Sequence, residues 1–171
     1  MFAKSIFNSK IRYGIAVYGI PKFDFKLQEQ SMDPGLQKIQ ILQNDMIRLL
    51  GNHRRADHVS MKKEREKHKM FSVNQMAVYH VALEMFNVVI KSSAENIRDK
   101  VILPDNPHYN MRSRKKEEVR VPRPPPKSCM GFSYTGPKLY NYLPEIFRKT
   151  TDKKVYKALL KTWIWEEIPS E

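Results

Sequence analysis

Apolar residues recur along most of this chain at spacings of three and four, the period of an α-helix that buries one face. Between residues 2 and 19, Phe2, Ile6, Ile11, Ile15 and Val17 stand among small residues, and Gly19 and Pro21 end the run. The pattern predicts a helix with a broad apolar face, followed by a loop over 20–33. Asp33-Pro34 then supplies a capping acid and a proline at the first helical position, where a missing N–H costs nothing. The stripe Leu36, Ile39, Leu42 or Gln43, Met46, Leu49 or Leu50 predicts the clearest helix of the chain. Gly51 is expected to close it in a left-handed conformation.

Residues 52–70 are polar and cationic. Phe71-Ser72-Val73-Asn74-Gln75-Met76 follows, in which Ser72 and Gln75 have the spacing of a capping box and Phe71 and Met76 that of a hydrophobic staple. The helix this starts carries Met76, Tyr79, Leu83, Phe86 and Ile90, with Val81, Val88 and Val89 on other faces. A helix apolar nearly all round is a buried helix, and His80 within it reads as a core histidine.

Residues 104–130 change character. Pro104, Pro107, Pro122, Pro124, Pro125 and Pro126 exclude a helix, and the three-proline run is expected to be extended and stiff. Val119, Val121, Phe132 and Tyr134 could supply two short strands. Gly136-Pro137 would turn the chain into a short helix through Leu139, Tyr140 and Leu143, stopped before Pro144. A last amphipathic helix is expected near 152–168, with Val155, Leu159 and Trp163 on one face and Lys153, Lys157 and Lys161 roughly opposite. The expected fold is therefore mainly α: a small helical bundle with a Pro-rich extended segment and at most a short two-stranded β element. Three regions follow from the pattern: helices over 1–51, a basic loop plus a buried helix over 52–103, and the Pro-rich segment, turn element and amphipathic helix over 104–171.

Charge adds a partner to this picture. Lysine and arginine number 31 against 18 acids, a net charge of +13 in 171 residues. Such a field attracts phosphate polyanions and steers association with them. The cations concentrate in two tracts. One runs from Arg48 through Arg54, Arg55, Lys62 and Lys63 to Lys69, and the other comprises Arg112, Arg114, Lys115, Lys116, Arg120, Arg123 and Lys127. Lysine and arginine grip phosphate without reading base sequence. Arg48, Arg54, Arg55, Lys62, Lys63, Arg112, Arg114, Lys115 and Lys116 are the candidate nucleic-acid contacts.

Catalytic chemistry is harder to find. Cys129 is the sole cysteine, which excludes an intrachain disulfide and fits a reducing, intracellular setting, cytoplasmic or nuclear. The basic stretch 1–23, with no acid before Asp24, also has the composition of a transit peptide. His53, His58 and His68 match no zinc-ligand spacing, and no glycine-rich phosphate loop occurs, so neither a metal nor a cofactor is expected. Two-metal phosphoryl transfer needs clustered acids. The sequence contains no Asp-Asp pair, and Glu117-Glu118 and Glu166-Glu167 read as solvated charge.

Six segments, in order, resemble the C-terminal, thumb and post-thumb part of the reverse transcriptase polyprotein of non-LTR, LINE-type (jockey-like) retrotransposons. Tyr13-Gly14-Ile15-Ala16-Val17-Tyr18-Gly19 resembles a "YGIxVWG" segment. Leu36 to Arg48, with Gln43-Asn44, resembles an "LQxxQNxxxR" helix, and Phe71-Ser72-Val73 with Gln75 and Tyr79-His80 resembles "LSVxQxxxYH". Arg112-Ser113 resembles a "TRS" turn, and Phe132-Ser133-Tyr134 through Pro144 resembles "FSYxGPxLWNxLP". The tail through Lys161 and Trp163 is similar to a closing "FKxxLKxWL" helix. Tyr18 and Tyr140 stand where the family often has tryptophan. The resemblance implies a helical thumb that grips template–primer duplex, with RNA, DNA or an RNA–DNA hybrid as partner. The catalytic aspartates of that family lie in the palm, whose motifs are not found here. The resemblance thus implies a catalytically incomplete piece whose other partner is the palm and fingers of the polyprotein.

Two other readings compete on the residues alone. One is a protein-interaction module that docks through the helix after Ser72 and the proline run, with no nucleic-acid role. The other is a peripheral membrane binder that uses the lysines opposite Trp163; it fits less well, because core packing explains that pattern equally.

Overall fold

The computed structural model describes residues 9–10, 34–90, 92–99, 101, 119–123 and 131–168. Its elements are helices: α1 (Pro34–Leu50), α2 (Met61–Lys67), α3 (Val73–Val89), α4 (Glu95–Arg98), α5 (Phe132–Tyr142), α6 (Glu145–Lys149) and α7 (Lys153–Glu167). No strand occurs among the described residues. The mainly helical expectation holds. Of the expected helix over 2–19, only residues 9–10 are described, and they are helical; the capping role of Asp33 and the run Pro124-Pro125-Pro126 lie outside the described residues. Two compact units form, one from the residues up to Val78 with those from Trp163 onward, the other from Tyr79–Thr162.

In the first unit, α1 is packed by a face that shares Leu36 and Gln43 with the predicted stripe and departs from it elsewhere. Leu36, Gln40, Gln43 and Ile47 are buried, whereas Leu42 and Leu49 are 59% and 80% exposed. The inward amides are there to bond. Gln40 Nε2 donates to Gln43 Oε1 at 2.9 Å and to Asn44 Oδ1 at 3.0 Å, and Gln40 Oε1 accepts from the Val73 amide at 2.8 Å. Gln43 Nε2 donates to the Phe71 carbonyl at 2.8 Å. These contacts hold the entry to α3, where the first turn has N–H groups with no partner in the helix.

The predicted capping box completes that entry. The Ser72 amide donates to Gln75 Oε1 at 3.0 Å, and the Gln75 amide donates to Ser72 Oγ at 3.2 Å. Gln75 Nε2 also donates to the Ile168 carbonyl at 2.8 Å, which ties down the chain end after Trp163. Phe71 lies beside Trp165, ring centroids 5.2 Å apart. The buried character expected of α3 is present from Val73 to Val88.

Both α1 and α2 end in the same motif. After α1, the Asn52 amide donates to the Leu49 carbonyl and the His53 amide to the Arg48 carbonyl at 2.8 Å. After α2, the Lys69 amide donates to the Glu66 carbonyl and the Met70 amide to the Arg65 carbonyl at 2.9 Å. These are Schellman pairs, and each needs one residue with positive φ. That residue is Asn52 at 54° and Lys69 at 50°, and Gly51 has no positive φ. Gly51 is small for another reason: a Cβ there would lie 2.5 Å from Cδ2 of the His53 ring. A left-handed lysine costs roughly 1–2 kcal/mol that glycine avoids, partly offset by glycine's greater freedom when unfolded. Lys69→Gly is therefore expected to stabilise the protein by about 0.5–1 kcal/mol, read as a higher urea midpoint at unchanged slope. An unchanged or lowered midpoint would count against the motif.

In the second unit, Met85, Val88, Val101, Val119 and Tyr140 form a buried cluster. Phe132 and Tyr134, expected in strands, are instead in the first turn of α5, which starts after Gly131 and runs through Gly136-Pro137. Gly136 sits inside the helix because Met85 approaches it: a Cβ there would lie 2.7 Å from Met85 Sδ. Pro137 lacks an N–H, which removes one intrahelical bond. Pro144 stops α5, and Arg148 Nη1 donates to the Asn141 and Leu143 carbonyls, at 3.1 and 2.7 Å, that the stop leaves without helical donors.

The buried face of α7 is also displaced from the expected one. Val155 is 48% exposed, and Tyr156 and Leu160 are buried in its place. Tyr156 stacks on Phe86 at 4.2 Å, and its hydroxyl donates to the Ala82 carbonyl at 3.1 Å. Burial pushes its phenol well above the ordinary tyrosine range, with Tyr140 adding to the shift. A raised phenol favours the folded state below the unfolded pKa near 10, and that contribution is lost as pH rises through the folded pKa. Tyr156→Phe is expected to lower stability by about 1 kcal/mol at pH 7. It should also remove part of the decline measured above pH 10 by urea titration; a decline of the same depth in both proteins would refute this.

Candidate nucleic-acid interface

The site is the corner of the first unit where α1 runs through residues 51–60 into α2. Its cations arise from opposite needs. The Schellman pairs and short connection bring residues 48–69 together, with eight lysines and arginines against three acids. Six of these cations are exposed, Arg48 is partly buried, and Arg65 is the one fully buried. Its Nη1 donates to Asn44 Oδ1 at 2.9 Å, so it braces α2 against α1.

The predicted contacts divide into two groups. Arg48 Nη1 lies 3.0 Å and Arg55 Nη2 2.6 Å from the two oxygens of Asp45. The hydrogen bond from Arg55, with Arg48 assisting, holds the Asp45 carboxyl below its ordinary range. Half the charge of this arginine pair is thereby answered within the chain. Arg54, Lys62 and Lys63 are exposed and form no ion pair among the described residues. Asp57 accepts from the Arg54 backbone amide at 2.7 Å, which shapes the loop. Lys69, outside the predicted set, is similarly exposed; its left-handed backbone after α2 was not signalled by composition.

Behind these cations, Glu64 is buried. His68 Nε2 lies 3.5 Å from Oε2 and His53 Nε2 3.7 Å from Oε1, with Lys67 Nζ also at 3.7 Å. Glu64 thus lies beside both the loop at residue 53 and the residue that caps α2. Among the described residues, no group of His, Cys, Asp and Glu is placed to hold a metal ion, and no helix is long and apolar enough to cross a membrane.

Arg112, Arg114, Lys115 and Lys116 lie outside the described residues. Part of the same tract is seen in the second unit. Residues 119–123 run without helix or strand, with Val119 buried and Arg120 and Arg123 exposed. Asn141 on α5 grips this segment by its backbone: the Val119 amide donates to Asn141 Oδ1 at 2.9 Å, and Asn141 Nδ2 donates to the Val119 carbonyl at 2.7 Å.

The motif residues behind the retrotransposon resemblance thus have structural work: Gln43, Asn44, Ser72, Gln75 and Asn141 bond within the chain. Trp163, on the face of α7 opposite the lysines, is 8% exposed. Compared with family models, curated proteins and solved structures, the chain matches none of them.

Proposed function

We propose that this chain binds nucleic-acid duplex through sequence-independent phosphate contacts, with an RNA–DNA hybrid as the substrate class. This is the role its resemblance to a retrotransposon reverse transcriptase thumb implies. The observation that supports the reading is the α1–α2 corner, where Arg54, Lys62 and Lys63 present charge that no described acid answers. Phosphate is the ligand such a cluster suits, because released counterions drive binding. In this reading the chemistry of polymerisation belongs to the palm of a parent polyprotein, and no residue here is catalytic.

The test is a salt titration against an RNA–DNA hybrid. Log affinity should fall linearly with log salt, by about 0.9 for each phosphate contacted, so three contacts give a slope near −3. Scrambling the hybrid's sequence should leave the affinity unchanged. A flat salt response would overturn the reading.

One observation favours the protein-interaction reading. Ile41, Leu42, Leu49 and Leu50 expose apolar surface on the outer side of α1. A docking surface would lie there rather than on α3, whose apolar residues are buried. Sedimentation that depends on protein concentration and ignores added hybrid would support it.

A further inference from the structure

The Asn141 clamp holds a segment with the composition of a ligand-contacting strap. A carboxamide that both accepts from and donates to one residue's backbone fixes that residue without regard to its side chain. Here it fixes Val119, whose isopropyl group is buried with Met85, Val88 and Tyr140. The next residues turn outward. Arg120 and Arg123 are exposed and form no ion pair among the described residues, and Pro122 between them has its φ set by its ring. Three residues of chain set the two arginines at most roughly 10 Å apart along the backbone. A basic segment that must be ordered on binding loses affinity to that ordering, and one held beforehand does not.

We propose that Arg120 and Arg123 form a second phosphate-contacting site, and that Asn141 is the positioning residue that orders it. The proposal rests on the duplex-binding reading and adds to it two contacts and the residue that presents them. Asn141 touches no ligand. It acts through the backbone of Val119, so its loss should alter binding through the strap while the unit around it stays folded.

The experiment uses the full chain in four forms: wild type, Asn141→Ala, Arg120→Gln/Arg123→Gln, and all three changes together. Hydrogen exchange at the Val119 amide is read first, without ligand. It should be protected in wild type and in the arginine variant, and exchange much faster once Asn141 is replaced. Thermal unfolding records that each form is folded. Salt titrations against an RNA–DNA hybrid follow. The arginine variant should show a salt slope shallower by about 1.8, two contacts at 0.9 each. Asn141→Ala should be shallower by about 1 and bind about tenfold more weakly at 0.1 M salt, and the triple change should match the arginine variant.

Faster exchange with an unchanged salt slope would overturn the proposal and leave the duplex reading standing, since wild type would still bind with its steep slope. Wild type without salt-dependent binding would overturn both. Asn141→Asp is the second variant. It keeps the acceptor for the Val119 amide and loses the donor to the carbonyl, so its exchange and slope should fall between those of wild type and Asn141→Ala. An Asn141→Asp protein with the Asn141→Ala slope and full Val119 protection would also overturn the proposal.

Discussion

Replacing Gln40 by leucine is expected to destabilise the protein by about 3 kcal/mol, although it adds an apolar residue to a buried position. One amide in this place serves three partners: it accepts from the Val73 amide and donates to Gln43 and Asn44. Leucine leaves the Val73 N–H without its acceptor at the start of α3. It also removes the donor to Gln43 Oε1, while Asn44 Oδ1 keeps the one from Arg65. Buried groups stranded this way cost about 1–3 kcal/mol each, and the transfer gain from a leucine side chain offsets only part of that. The melting temperature should fall by roughly 6–12 °C, at 2–4 °C per kcal/mol for a chain of this size. Leu42→Gln, the same chemistry reversed two residues away, should change stability by less than about 0.5 kcal/mol, because Leu42 is exposed. If Gln40→Leu proved as stable as wild type in urea, the amide network would not be what holds α1 to α3.

Neutralising Lys62 and Lys63 together should weaken hybrid binding by about 60-fold at 0.1 M salt. The size follows from counterion release: each contact contributes about 0.9 log units between 1 M and 0.1 M salt. Lys62→Gln/Lys63→Gln removes two, so affinity should fall by about 1.8 log units and the salt slope should lessen by the same number. Stability should stay within about 0.5 kcal/mol, since both side chains are exposed. Arg48→Gln should cost less affinity than either lysine, because Asp45 already answers that guanidinium, with Arg55 at its other oxygen. Equal losses from Arg48, Lys62 and Lys63 would mean that the Asp45 pair opens on binding. No loss from the lysine pair would show that the corner between α1 and α2 is not a phosphate site.

What could be read in the sequence depended on how far away the explanation lay. Ser72 and Gln75 are three residues apart, so their reciprocal bonds follow from a local rule. The burial of α3 follows from its own composition. Gln40 could not be read in this way, and Gln43 stood in the periodic stripe only as an alternative to Leu42. Their partners lie at Val73 and Phe71, 33 and 28 residues on, and periodicity counts apolar side chains while treating an amide as a solvent group. The same blindness displaced the face of α7, where the hydroxyl of Tyr156 reaches Ala82, 74 residues away. Phe132 and Tyr134 read as strand because of their aromatic composition; they stand instead in the first turn of a helix whose Gly136 leaves room for Met85. At the site, the cations themselves were legible. Their division was only half so: Asp45 and Arg48 have helical spacing, but the chain must turn after Asn52 to bring Arg55 onto the same carboxylate.

The amide-lined face of α1 has a consequence for how this segment tolerates change. In an ordinary surface helix, drift is free at the polar positions and slow at the apolar ones. Here the two glutamines are the constrained letters, because no other neutral side chain of their length carries both a donor and an acceptor. The leucines at 42 and 49 are open to drift, and glutamate or lysine could enter there without disturbing the fold. The amides at 40 and 43 and the serine at 72, more than the outer leucines, are the positions that hold this helix to its neighbour.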